Sequence, residues 1–217
     1  KIFLYTGNLS NQTITDLGCG EGYVSRKFEK KGAKKIYGID ISQKMLDIAK
    51  LKKSKKIVYK KASITKTGLR SNISDKTFAI FVFNYLKKKE MNLACKEIAR
   101  ITKKNGLIYV SVPHPFYPFI TNKNNIFNFK KISNKEYFKK TDITFNGFIK
   151  RIDKVKLPVH FTHHTIQDYF ESFVKAKLTK IVKVEELKVT TKHLKQNYNF
   201  FKHIKDLPLH LLFILRK

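Results

Sequence analysis

Ile14-Thr15-Asp16-Leu17-Gly18-Cys19-Gly20-Glu21-Gly22 opens as a short apolar run and ends in a glycine-rich corner. Val24 to Lys30 then has helical character until Gly32 stops it, so the stretch predicts strand, turn and helix. Lys35-Ile36-Tyr37-Gly38-Ile39-Asp40 follows as a second buried strand. Ser42 suits an N-cap, with Met45, Leu46, Ile48 and Ala49 on one face of the helix after it. The unit is βαβα. A dinucleotide fingerprint sets its third glycine three residues after the second. Here Gly18, Gly20 and Gly22 are spaced by two and Tyr23 fills that position, which disfavours a nicotinamide-dependent oxidoreductase.

The alternation continues outward. Lys56 to Lys61 predicts a third strand, and the unbroken apolar run Phe78 to Phe83 suits a central strand buried on both faces. Met91 to Ile101 carries Leu93, Ala94, Ile98 and Ile101 at helical spacing, with Asn105-Gly106 expected to end that helix before a strand over Leu107 to Val112. From Pro113 to Pro158 the pattern breaks into aromatic and polar clusters, too long for a simple connection, which predicts a substrate-side insertion or lid over residues 114–160. Thr165 to Ala176 returns to helix. Ile181 to Leu187 and His210 to Leu215 read as strands joined by the partly helical Lys188 to Asp206. Sequential βα units of this kind give a doubly wound α/β fold, expected here as one domain over residues 1–217.

Composition narrows the function. The apolar stretch Leu207 to Leu215 is broken by Pro208 and His210, so no membrane-spanning helix is expected. Cys19 and Cys95 form neither a CxxC nor a Cys/His pattern, which suggests no disulfide framework and no metal site, and fits a reducing cytoplasm. Lys1 in place of Met suggests that an N-terminal segment is missing, and no signal peptide is visible. The net charge of +30 would ordinarily point to nucleic acid. However, arginine is confined to Arg26, Arg70, Arg100, Arg151 and Arg216, and lysine is the poorer residue for bidentate phosphate contacts. Lysines scattered over the whole length predict solvated faces instead.

Asp16-Leu17-Gly18-Cys19-Gly20-Glu21-Gly22 resembles the first motif of class I, Rossmann-like S-adenosylmethionine-dependent methyltransferases, and Asp40 matches the acidic residue that ends their second strand. The resemblance implies an α/β, mostly parallel seven-stranded sheet with helices on both faces, an antiparallel final strand and an insertion after the fifth. It implies S-adenosylmethionine as cofactor, with Asp40 accepting hydrogen bonds from the ribose hydroxyls. Its neighbours would be Asp16, Gly18, Cys19, Gly20, Gly22, Ile41, Met45, Ala62 and Ser63, and Asn84 and Tyr85 would flank the sulfur.

Lys103-Lys104-Asn105-Gly106-Leu107 is similar to that family's turn before its fifth strand. Ser111-Val112-Pro113-His114-Pro115 resembles a His-Pro pair of its small-molecule branch, and makes His114 the candidate base facing the methyl group. The block from Val159 to Tyr169 is similar to that branch's His-x-x-Thr segment, which brings in His163 and His164 as acceptor-side candidates; Tyr117 joins them as one of the insertion's aromatic residues expected to line an apolar acceptor pocket. The chain departs from the family at Ala62-Ser63, where an Asp is common, and at Ala79, where Phe-Asp is usual. Phe83-Asn84-Tyr85-Leu86 lacks the Asn-Pro-Pro-Tyr of the adenine-modifying branch. These features predict methyl transfer to an oxygen, nitrogen or carbon of a small molecule. The alternatives are an RNA (tRNA or rRNA) methyltransferase and an inactive cofactor-binding domain.

Overall fold

The computed structural model describes residues 2–119, 127–129, 136–150 and 155–217. The single turn α1 (Ile2–Tyr5) precedes β1 (Thr13–Leu17), which passes through the glycine corner into α2 (Tyr23–Lys30). Then come β2 (Lys35–Asp40), α3 (Gln43–Lys50), β3 (Ile57–Lys61), β4 (Ser74–Ile80), α4 (Lys88–Ile101) and β5 (Thr102–Pro113). The insertion contributes β6 (Phe127–Phe129), β7 (Thr144–Lys150) and β8 (Lys156–Thr162). The chain ends with α5 (Ile166–Lys175), β9 (Lys180–Leu187), α6 (Thr191–Gln196), α7 (Tyr198–Phe201) and β10 (His210–Arg216).

Seven strands form one sheet in the order β3-β2-β1-β4-β5-β10-β9, and β6-β7-β8 form a separate antiparallel sheet. The final strand, β10, runs antiparallel to both β5 and β9, while the pairs among β1 to β5 are parallel. Strand alternation divides the core between two faces. Leu211, Phe213 and Leu215 of β10 pack with Val110 and with Met91, Ile98, Tyr169 and Phe173 of α4 and α5. Leu212 and Ile214 pack on the other face with Tyr109, Phe78 and Phe28 of α2. Phe78 stacks on Tyr109 with ring centroids 4.4 Å apart, a pairing that ties the central strands together beyond their area burial.

Two expected boundaries are corrected. The strand assigned to Phe78 to Phe83 runs instead over Ser74–Ile80, because Phe81 leaves the sheet with a φ of 54° and Phe83–Tyr85 forms a 3-10 turn. The fourth helix stops at Ile101, not at Asn105-Gly106. Those two residues lie in a bulge of β5, where the register jumps from Ser74↔Thr102 to Lys76↔Leu107. Asn105 takes a φ of 65°, and a Cβ on Gly106 would come within 2.9 Å of the Asp75 carbonyl oxygen.

Candidate cofactor and acceptor site

The strand order reverses between β1 and β4: β1 to β3 build outward one way, and β4 and β5 the other. Open α/β sheets bind ligands beyond the carboxyl ends of the strands at such a point. Here that position holds a cavity of about 540 Å³. Gly18 after β1, Asp40 at the end of β2, Ala62 and Ser63 after β3, and Tyr85 after β4 all line it, as do Ile41 and Met45.

The corner is built from backbone. Gly18 N–H and Cys19 N–H both donate to the Ile39 carbonyl, at 2.7 and 3.0 Å, which pulls the turn against the end of β2. Gly18 has a φ of +66°, and a Cβ there would sit 2.8 Å from Val82, so only glycine passes between the cavity and Val82 in the loop after β4. Gly22 caps α2 with a φ of 76°. The Asp40 carboxylate accepts from Gly20 N–H at 2.8 Å and from Ser42 N–H at 2.9 Å. Two backbone donors thus fix its orientation at the cavity wall, with lone pairs left over for a ligand's hydroxyls. Ser42 also caps α3, its hydroxyl accepting from Met45 N–H at 3.3 Å.

Of the other predicted cofactor neighbours, Asp16, Cys19, Gly20, Gly22 and Asn84 do not line the cavity. Asp16 is buried and does not reach the cavity; its carboxylate accepts from the Ser25 hydroxyl at 2.5 Å and so holds the first turn of α2. Burial raises its pKa to about 7, a rise that the Ser25 hydrogen bond opposes and nearby Asp40 reinforces. The Cys19 thiol is buried and its pKa is raised for the same leading reason. Asn84 is buried on the far side of Tyr85, lining a smaller adjoining chamber. Ser63 faces the cavity with its hydroxyl already within 2.8 Å of the Thr65 hydroxyl. Ala79 is packed in the core, with no polar group to offer.

The three predicted histidines do not line the cavity. His114 is buried, its Nε2 is 2.9 Å from a Glu186 carboxylate oxygen, and its Nδ1 accepts from Phe116 N–H at 3.2 Å. Both ring nitrogens are therefore engaged. Burial lowers the His114 pKa against the opposing pull of Glu186. His163 and His164 are fully buried struts, bonded through Nε2 to the carbonyls of Tyr137 at 2.9 Å and Leu86 at 2.8 Å. Burial takes the His163 pKa down to about 4 and lowers that of His164 as well. Tyr117 begins a 3-10 turn, and its side chain lies outside the described residues.

Several wall residues went unpredicted: Val82 and Leu86 in the cavity, His210 in the smaller chamber, and Phe81 and His160 in both. Phe81 had a structural signal but no sequence one, since a bulky residue with positive φ marks strain that local sequence does not announce. His160 lay within the recognised segment beside His163 and His164. Strand alternation on β8 could have separated it, because Phe161 is buried and His160 is exposed.

The chain shares this sheet order and fold with solved S-adenosylmethionine-dependent methyltransferases. More narrowly, residues 15–110 match the family model described as a methyltransferase domain. Over 111 residues the chain is 30% identical to the malonyl-[acyl-carrier protein] O-methyltransferase of Hamiltonella defensa, covering 51% of this chain and 42% of that protein. Over 45 residues it is 47% identical to the ubiquinone biosynthesis O-methyltransferase of Nitrosomonas europaea, covering 21% of this chain and 19% of that protein. The chain thus matches less than half the length of these curated relatives. An S-adenosylmethionine-dependent methyltransferase from Mesorhizobium loti superposes with a TM-score of 0.73 at 17% identity, covering 100% of this chain and 95% of that one.

The cavity's residues fit S-adenosylmethionine, the cofactor that the sequence resemblance implies. Gly18 leaves room where a Cβ would collide, Asp40 presents an oriented carboxylate, and Ile41 and Met45 are large apolar side chains exposed at 71% and 44% on the cavity wall. Such side chains are well placed to cover a flat ring.

Proposed function

We propose that the chain transfers the methyl group of S-adenosylmethionine to an oxygen, nitrogen or carbon of a small-molecule acceptor. The observation that carries this is the junction of the Gly18 corner, the Asp40 carboxylate and the cavity at the strand reversal. When bound, the cofactor supplies a methyl group on a positively charged sulfur, which already leaves readily. The protein's work is then alignment and exclusion of water. Asp40 would hold the ribose hydroxyls, Ile41 and Met45 would cover the adenine, and Ser63 would meet its edge. Phe81, Tyr85, Val159 and His160 would wall off the methyl end. Cys19 and Cys95 are free and buried, which accords with a reducing cytoplasm. Among the described residues no helix is long and apolar enough to cross a membrane.

The test is calorimetric titration with S-adenosylmethionine, S-adenosylhomocysteine and NAD, repeated with Asp40→Ala. The two sulfur ligands should bind and NAD should not, and the variant should lose about 10- to 100-fold in affinity, the worth of a charge-assisted hydrogen-bond pair. Absence of binding by either sulfur ligand at millimolar concentration would sink the proposal.

A second reading, an RNA acceptor, is favoured by one observation. Lys50, Lys52, Lys53 and Lys55 line a groove between the end of α3 and the start of β3. It lies by the amino end of β3, whereas the cofactor cavity lies past the carboxyl end, so phosphates held there would be set back by the length of that strand. Transfer of labelled methyl to RNA, abolished by moderate salt, would support it.

A further inference from the structure

The cleft has a second compartment. Phe81, Tyr85, Val159 and His160 wall the cofactor cavity on one side and a chamber of about 270 Å³ on the other. Pro113, Ile149 and Phe161 add apolar surface to this chamber, and its two further polar residues are Asn84 and His210.

Three features define what can occupy it. First, no lysine, arginine, aspartate or glutamate lines it among the described residues, in a chain of net charge +30. A carboxylate or ammonium entering there would lose hydration with no opposite charge to compensate. Second, the Asn84 side chain is buried, 5% exposed, and its Oδ1 has no hydrogen-bond partner among the described residues. Buried carboxamides are seldom left so, and at a chamber wall an unpartnered one points to a group supplied from outside the chain. Third, His210 packs against Phe81 with ring centroids 4.8 Å apart, and its ring nitrogens make no hydrogen bond among the described residues. Burial, and then the charges of His193 and His114, bring its pKa down to about 4, so the imidazole is neutral at pH 7 and keeps one acceptor and one donor nitrogen.

We propose that this chamber is the acceptor subsite and that it takes a neutral, flat, largely apolar molecule bearing a hydroxyl group, held by the Asn84 carboxamide and the His210 imidazole. A hydroxyl both donates and accepts, so it satisfies either residue, whereas an ether or a carboxylate cannot donate. Phe81 and Tyr85, with His160 edge-on to Tyr85 at 4.8 Å, supply aromatic walls for a flat ring. The assignment deepens the methyltransferase proposal and rests on the first cavity being the cofactor site.

The experiment is titration of the protein, saturated with S-adenosylhomocysteine, with three probes of one size: 2-naphthol, 2-methoxynaphthalene and 2-naphthoate. The naphthol should bind about tenfold more tightly than its ether, and the naphthoate more weakly than either. Asn84→Leu and His210→Phe should each bring the naphthol-to-ether preference close to one. Asn84→Leu should also melt no lower than the parent, since it removes an unpartnered buried polar group. If that variant fails to fold, His210→Phe carries the test alone. Equal affinity for naphthol and ether, tighter binding of naphthoate, or a preference that survives His210→Phe would overturn the subsite. A protein that binds no S-adenosylhomocysteine overturns the cofactor reading and this assignment with it; one that binds it but shows no naphthol preference overturns this assignment alone.

Discussion

Asp16 and Asp40 illustrate how little a residue type says until its surroundings are known. Both are acidic and both lie near the carboxyl ends of strands at the corner, yet Asp40 lines the cavity and Asp16 lies behind it, holding Ser25. The difference is measurable. The Asp16 carboxyl is raised by burial to about 7, above an ordinary value near 4. The native state therefore keeps a proton that the unfolded chain releases between about pH 4 and 7. Stability from this group is full below about pH 4 and is lost as pH rises through about 7. Asp16→Asn keeps an acceptor for the Ser25 hydroxyl but removes the titration. The melting temperature of the wild-type protein should fall relative to that of Asp16→Asn by several degrees between pH 5 and pH 8. A difference that stays constant over that range would show that Asp16 is not a buried, late-titrating carboxyl.

At the scale of elements, the insertion is tied to the fold by a clamp that the sequence shows only in part. Asp168, in the first turn of α5, completes a capping box with Thr165 and accepts from Lys88 Nζ at 2.7 Å and from the Thr141 hydroxyl at 2.6 Å. Burial works against its ionised form, but these donors prevail and hold its pKa well below the carboxylate range. Asp142 in turn caps α4, accepting from Lys88 N–H at 2.7 Å. The chain leaving the insertion is thus locked to the first turn of α4, beside the cavity wall. Asp168→Ala should cost on the order of 3 kcal/mol, or about 6–12 °C of melting temperature. Thermal denaturation checks this, and a loss under about 1 kcal/mol would mean the clamp is ornamental. The capping box of Thr165 and Asp168 is a local pattern that the reading of a helix over Thr165 to Ala176 passed over; Lys88 and Thr141 carry no such signal, since no period or motif links them to α5. The same divide runs through the site. Gly18, Asp40 and Met45 could be read because a strand-turn-helix places them by sequence distance alone. His210 and Phe81 could not, because they meet only once β10 returns antiparallel beside β5.

For the molecule as a whole, the charge balance is set by the excess of lysine, and several of the few acids are engaged inside the fold. The chain has 46 basic and 16 acidic residues, and Asp16, Asp40, Asp75, Glu97 and Asp168 are each tied by hydrogen bonds to groups inside the fold. Glu97 shows the pattern: burial raises its carboxyl, but Arg100 and Thr67 outweigh this and bring it down to about 2. With 46 basic against 16 acidic residues, most lysines have no acid to pair with, and like charges crowd the surface. Mutual repulsion then destabilises the compact state, and salt should relieve it. As sodium chloride rises from about 10 to 150 mM, the Debye length shrinks from about 30 to 8 Å, below the span of one element. The melting temperature should climb by several degrees over that interval and flatten above it, as scanning calorimetry would record. Repulsion among solvated lysines requires this rise. A flat profile from the lowest salt would instead mean that the charges are already neutralised by a bound polyanion. Excess absorbance at 260 nm in the purified protein would reveal that polyanion and favour RNA over a small molecule as the acceptor.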